Sequence, residues 1–183
     1  MKIVVLAGGL SPERNVSLSS GTMIAHALKR LGHRPALVDL YFGLEDPAAP
    51  LEACFDQPVP DRWKQVDPQA PDLEAVKAAR PGESPSQFGP GVLELCRQAD
   101  LVFLALHGAC GEDGRVQAAF DLMGIPYTGS GYVGSALAMD KDLTKRLGAP
   151  RGVRTPAWET LEYQAEDIEA IVQTASLPCV LKP

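Results

Sequence analysis

Two polar clusters interrupt apolar stretches of this chain, and both hold residue types able to bind a charged ligand. The first, AGGLSPERNVSLSSG over residues 7–21, follows the apolar run KIVVL and carries Glu13, Arg14 and four serines. The second, HGACGEDG over residues 107–114, follows LVFLAL and carries His107, Cys110, Glu112 and Asp113. Glu13 beside a helix start has two readings: local stabilisation of that start, or a carboxylate that holds a substrate ammonium. His107 ends an apolar run where a core residue would ordinarily continue, so it is either a hydrogen-bonded structural histidine or part of a site. Glu112 and Asp113 with His107 have the donor types of a divalent metal site, but their glycine-flanked setting before a helix is explained by turn and capping chemistry. Cys110 lies three residues from His107 without an identifiable third group to orient a Cys–His pair. Among the lysines, Lys145 reads as a solvated surface charge, whereas Lys182 ends the apolar stretch PCVLKP, where an ammonium can meet a phosphate oxygen.

Elements that must position these residues follow from the hydrophobic pattern. KIVVLAGG is a β-branched run closed by glycines, the pattern of a buried parallel strand. From Leu18 to Leu31 small or apolar residues keep helical spacing, with Ser17 placed as an N-cap and Gly32 as the stop. RPALVDL predicts a second strand, so the chain opens as strand, helix, strand, the start of a parallel α/β sheet. In such sheets ligands gather at the carboxyl ends of strands, and both polar clusters follow a strand. The first cluster is neither a P-loop nor a dinucleotide fingerprint, since it lacks G-x-x-x-x-G-K-[ST] and G-x-G-x-x-G.

Residues 41–91 hold nine of the sixteen prolines and predict an irregular excursion with a short helix over DLEAVKAAR. Beyond it the pattern predicts a helix over GVLELCRQAD, a strand over LVFLALHG, a helix from about Arg115 to Met123 and a short extended piece over IPYTGS. It then predicts a helix over GYVGSALAMDKDLTKRLG, a strand over TPAWETL, a helix around EDIEAIVQTA and a strand over PCVLKP.

The chain has 45% hydrophobic and 22% charged residues, enough for one core of roughly 100 to 150 residues. With 17 basic against 23 acidic residues it carries a net charge of −6 and no basic cluster, which argues against nucleic acid as a partner. Four scattered cysteines without C-x-x-C spacing suit reduced thiols and predict no structural metal. The run Ile3–Ala7 is too short for a signal-peptide core, and nothing approaches the roughly 20 apolar residues of a membrane span. A cytoplasmic protein, off the membrane, is expected.

Five segments together, GGLSPERNVSLSSG, ALHGACGEDG, GIPYTGSG, SALAMDKDLTKRL and LPCVLKP, resemble the D-alanine:D-alanine ligase family of the ATP-grasp superfamily in order and spacing. The resemblance covers every ordered part of the chain outside the proline-rich excursion. It implies a Rossmann-like substrate-binding α/β domain over residues 1–135, followed over 136–183 by the beginning of an ATP-grasp domain. It also implies ATP-dependent ligation of two D-alanines for peptidoglycan synthesis, and so for cell shape, by an enzyme that is homodimeric when complete.

Within the motif S-x-E-R-x-V-S, Glu13 then binds the ammonium of the first D-alanine, with Ser17 on the same substrate side, and His107 lines that site. Lys141 of MDK and Lys182 of LKP then contact ATP phosphates. Family chemistry runs through attack of the first D-alanine carboxylate on the ATP γ-phosphate, then attack of the second amine on the acyl phosphate, with magnesium. Three departures stand out. Asn15 occupies a position where an acid or histidine is common, and Ala109-Cys110 fills a variable pair. The sequence also ends at Pro183, ahead of the family's nucleotide-covering loop, magnesium ligands, transition-state arginine and second-substrate loop. The resemblance therefore implies an N-terminal part that by itself neither ligates D-alanine nor hydrolyses ATP. Two other readings share these residues: a ligase that joins D-alanine to D-lactate or D-serine, and a non-catalytic or decayed binding module of the same fold.

Overall fold

The computed structural model describes residues 1–67, 69–82 and 84–182. Its contacts divide the chain into two compact units, Met1–Thr144 and Lys145–Pro183.

The first unit is built on a three-stranded parallel sheet ordered β2-β1-β3, with β1 at Lys2–Ala7, β2 at Arg34–Asp39 and β3 at Leu101–Leu104. Central β1 pairs on both sides, Val4 opposite Ala36 of β2 and Val102 of β3. Side chains alternate across a strand, so β1 feeds two cores. Ile3, Val5 and Ala7 face one cluster with Leu18, Ala25 and Ala105, while Val4 and Leu6 join Val92, Leu95, Val102 and Phe120 on the other. This two-sided burial is why β1 reads as an unbroken apolar run.

Helix α1, Arg14–Arg30, crosses from β1 to β2 and covers the first face. Gly21 lets it come close: a Cβ there would sit 2.7 Å from that of Ala7. The helix stops as expected at Gly32, where the N–H groups of Gly32 and His33 donate to the carbonyls of Lys29 and Leu28. Its start differs from expectation. It begins at Arg14, so Ser17 is interior and is not the N-cap, because the serine hydroxyl is engaged by other elements of the fold.

The proline-rich excursion contains a 3₁₀ turn at Leu51–Asp56, which drives Phe55 into the second core, and the expected short helix α2 at Leu73–Ala79. Asp72 caps α2 by accepting from the N–H groups of Glu74 and Ala75. Buried Arg80 then ties the segment down, donating to the carbonyls of Ser86 (2.6 Å) and Phe88 (3.0 Å) with its guanidinium over the Tyr41 ring.

Helix α3, Val92–Gln98, leads into β3, and α4, Arg115–Met123, has the predicted limits. Burial pushes the Cys96 thiol of α3 up to about 12, which makes it an inert core side chain. The strand expected over LVFLALHG is regular only through Leu104, after which the chain turns into the second polar cluster. IPYTGS is extended beside β3, with a single parallel bridge from Tyr127 to Val102.

The single helix expected over residues 131–148 is two, α5 at Tyr132–Met139 and α6 at Lys141–Gly148. Asp140 breaks the run at ψ 104°, and its carboxylate accepts from the N–H of Leu143, a cap that starts a new helix.

In the second unit, a 3₁₀ turn at Ala165–Asp167 and helix α7 at Ile168–Thr174 match the helix expected there. TPAWETL and the described part of PCVLKP form no strand; Pro183 lies outside the described residues. Both segments are largely exposed, and a strand exists only when a neighbouring backbone completes its ladder.

Candidate functional site

Successive crossovers run to opposite sides of β1, so the sheet has a switch point between β1 and β3, the kind of place where parallel sheets bind ligands, and the loops that leave those two strands lie side by side there. The two polar clusters of the sequence are those loops.

Ser17 joins them from beneath. Its hydroxyl accepts from the Gly8 N–H (2.8 Å) and donates to the Ala105 carbonyl (2.7 Å), which fastens the carboxyl ends of β1 and β3 to one turn of α1. Ser17 is fully buried, and these bonds use its proton and one lone pair. Ser11 repeats the tie nearer the surface, donating to the His107 carbonyl (2.8 Å) and accepting from the Glu13 N–H (3.2 Å).

Glu13 therefore sits on a pinned backbone with its side chain exposed. Its carboxylate lies over Gly108: a Cβ at Gly108 would stand 3.1 Å from Glu13 Oε2. His107 is half-buried, with Nε2 3.4 Å from the Ser20 hydroxyl. Ser17 and Ser20 are three residues apart on α1 and share the face turned toward the β3 loop. Glu13, Ser17 and His107, all flagged by the sequence, are thus brought together. Among the described residues Glu13 forms no ion pair, so its carboxylate is available to a cationic group.

The second loop is held by its own acids. Glu112 accepts from the Gly108 N–H (2.7 Å), Asp113 accepts from the N–H groups of Cys110 (2.9 Å) and Arg115 (3.1 Å), and Gln117 Nε2 donates to the Gly111 carbonyl (2.7 Å). The acids do turn chemistry, as their glycine-flanked setting suggested. Cys110 adopts a left-handed φ of 67°, and its sulfur lies 3.9 Å from Arg115 Nη1 rather than against His107.

Arg14 and Asp39 escaped the sequence reading. Both are buried, and they form a two-pronged ion pair, Nη1 to Oδ1 at 3.1 Å and Nη2 to Oδ2. Arg14 Nη1 also donates to the Gly9 carbonyl (2.8 Å), and Asp39 Oδ1 accepts from the N–H groups of Tyr41 (2.9 Å) and Phe42 (3.2 Å). Gly8, at φ 73°, must lack a side chain here, because a Cβ would stand 2.7 Å from the Asp39 carboxylate. In the sequence they are two separate charges, Arg14 in the polar cluster after the first strand and Asp39 at the end of the second, with no local signal that pairs them.

Of the lysines, Lys141 begins α6, exposed, its ammonium donating to the carbonyls of Met139 (3.0 Å) and Ala138 (3.3 Å). Lys182 is exposed in the second unit. At the opposite, amino end of the sheet, half-buried Arg34 binds Asp56 and Glu52, which raises its pKa and lowers that of Glu52. That network is remote from the site.

Known proteins resemble the whole chain. A D-alanine--D-alanine ligase of Lacticaseibacillus casei is 39% identical over 183 residues, all of this chain and 51% of the relative. A ligase of the same name from Aquifex aeolicus is 33% identical, over all of this chain and 46% of the relative. The chain thus spans about half the length of the curated relatives it matches. Among solved structures, a D-alanine--D-alanine ligase of Bacillus anthracis complexed with ATP aligns at TM-score 0.54 and 25% identity, covering 92% of this chain and 45% of that one. The ligase of Coxiella burnetii, 24% identical at TM-score 0.58 over 95% of this chain and 50% of that one, shares the fold. The family described as D-ala D-ala ligase N-terminus matches residues 2–130, which carry the sheet and both site loops, and the chain belongs to that family.

Proposed function

We propose that this chain supplies the substrate-side part of an ATP-dependent ligase that joins two D-alanines, in the cytoplasm, for peptidoglycan synthesis. On this reading residues 1–135 form the substrate-binding domain, residues 136–183 open the nucleotide-binding domain, and the complete enzyme is a homodimer. The observation that carries the reading is the Glu13 carboxylate, exposed and unpaired, on a backbone pinned over Gly108 beside His107. An amino acid presents an ammonium and a carboxylate on the same carbon. Glu13 accepts from the ammonium in a charge-assisted hydrogen bond. The half-buried His107 ring stands on the neighbouring loop, and Ser17 ties the two strand ends together beneath both loops.

Lys141 fits an ATP phosphate: an ammonium has three protons, the carbonyls of Met139 and Ala138 take two, and one remains to point outward. Lys182 is assigned the same kind of partner on the strength of its motif. ATP, when bound, supplies the phosphoryl group that activates the first carboxylate. No three His, Cys, Asp or Glu side chains among the described residues are grouped to hold a metal ion, and no step is assigned to magnesium.

Glu13→Gln keeps the shape and removes the charge. It is expected to weaken D-alanine by about 1.5 to 3 kcal/mol, roughly 10- to 150-fold, with an unchanged melting temperature because the side chain is exposed. Titration of D-alanine followed by amide NMR shifts at Gly108 and Glu13 measures this, with L-alanine as the control. Equal affinity of wild type and variant would overturn the assignment.

A further inference from the structure

We propose that Arg14 and Asp39 are positioning residues for the ligand site, a buried strut that sets where Glu13 stands; the inference rests on the reading of Glu13 as the ammonium-binding group. Glu13 immediately precedes α1, and Arg14 is the first residue of that helix. The first turns of α1 are held from two sides. Ser17 ties the helix to the end of β3 through Ala105, and Arg14 ties it to the end of β2 through Asp39. Arg14 also grips the loop between β1 and α1 at the Gly9 carbonyl, and its guanidinium stacks 5.0 Å from the centre of the Phe42 ring. Asp39 is fixed in turn by the N–H groups of Tyr41 and Phe42. The arrangement leaves the pair little freedom to rotate, and it presents Glu13 from a helix start anchored to both outer strands.

Stability alone does not account for such a device. A buried ion pair commonly gives way to apolar side chains of similar size with no loss of stability. What apolar side chains cannot reproduce is direction: the planar guanidinium meets the carboxylate through two prongs and reaches the Gly9 carbonyl with the same nitrogen. A charge-assisted hydrogen bond holds only at about 2.7–2.9 Å, so a shift of about 1 Å at Glu13 takes its carboxylate out of reach of the ammonium.

The test separates holding the fold from holding Glu13. The double variant Arg14→Met/Asp39→Leu is prepared alongside Arg14→Lys, which keeps the charge but has one nitrogen where the guanidinium has three. Three quantities are read: melting temperature, D-alanine affinity by NMR titration, and hydrogen exchange of the Gly8 and Arg14 amides, which bond to Ser17 Oγ and the Ser11 carbonyl. The double variant is expected to melt within a few degrees of wild type, to exchange those two amides at least tenfold faster while Val5 in β1 stays protected, and to bind D-alanine at least tenfold more weakly. Arg14→Lys is expected to fall between, and it carries the test if the double variant does not fold. Wild-type exchange at Gly8 and Arg14, or wild-type D-alanine affinity in a folded variant, would overturn the proposal. If wild-type protein gives no D-alanine response, or Glu13→Gln binds as wild type does, the ligase reading of Glu13 fails instead; the exchange rates then still decide whether the strut holds the Glu13 turn.

Discussion

Asp39→Ala is expected to lower the unfolding free energy by about 3 to 5 kcal/mol, because it strands a guanidinium whose surroundings exclude water. The Arg14 and Asp39 side chains are only 8% and 4% exposed. Removing the carboxylate also strips the N–H groups of Tyr41 and Phe42 of their acceptor, at the point where β2 gives way to the excursion. Urea denaturation followed by circular dichroism measures the loss, and a wild-type midpoint would mean that the site admits water. The matched control is Asp56→Ala. Asp56 meets Arg34 through three hydrogen bonds, more than Asp39 receives from Arg14, yet both partners are in solvent. The surface variant is expected to leave the midpoint nearly unmoved, since water replaces the lost partner. Burial, rather than the number of bonds drawn, decides which pair matters.

Phe120→Ala is expected to cost a similar amount, about 3 to 5 kcal/mol, by opening a cavity where α4 meets the sheet. Phe120 is fully buried, and its ring lies 6.0 Å from those of both Phe88 and Tyr127. It therefore joins three segments: the end of the excursion, α4, and the extended piece beside β3. Leu122 is the control, two residues along the same helix and 90% exposed, and Leu122→Ala should change stability by no more than about 0.5 kcal/mol. Thermal and urea unfolding of both variants read the difference. Equal effects would show that α4 is not docked through Phe120. Because α4 follows directly from the loop carrying His107 and Gly108, loosening its base is also expected to weaken D-alanine in proportion to the fraction unfolded.

Much of this was legible along the chain where the signal is local. β1, β2 and α4 were readable because burial on one or both faces leaves a period in the residues themselves. The polar clusters stood out because charge following a buried strand is out of place in a core. Glu13 and His107 were singled out in that way, and their loops are neighbours because β1 and β3 are neighbours. Errors arose where a local pattern had two meanings. Serine before an apolar helical run signals a cap, yet Ser17 donates its hydroxyl to a carbonyl 88 residues away. The stretch ALAMDKDL keeps helical spacing through Asp140, but its carboxylate caps the following helix and divides the run. TPAWETL and PCVLKP have strand composition, and no neighbouring backbone pairs with them among the described residues.

The sequence by itself determined an α/β chain with Glu13 and His107 on loops that follow strands, because periodicity and turn chemistry act between residues close in the chain, while its resemblance to the ligase family rested on five motif segments. Only the tertiary structure decided that β1 lies between β2 and β3, that Ser17 is a tie rather than a cap, and that Arg14 meets Asp39. Those outcomes depend on groups brought together by crossovers, and the chain between Arg14 and Asp39, 25 positions apart, carries no local preference for their meeting. The sheet supplies it: packing α1 against β1 takes both charges out of water beside each other, and each then satisfies the other.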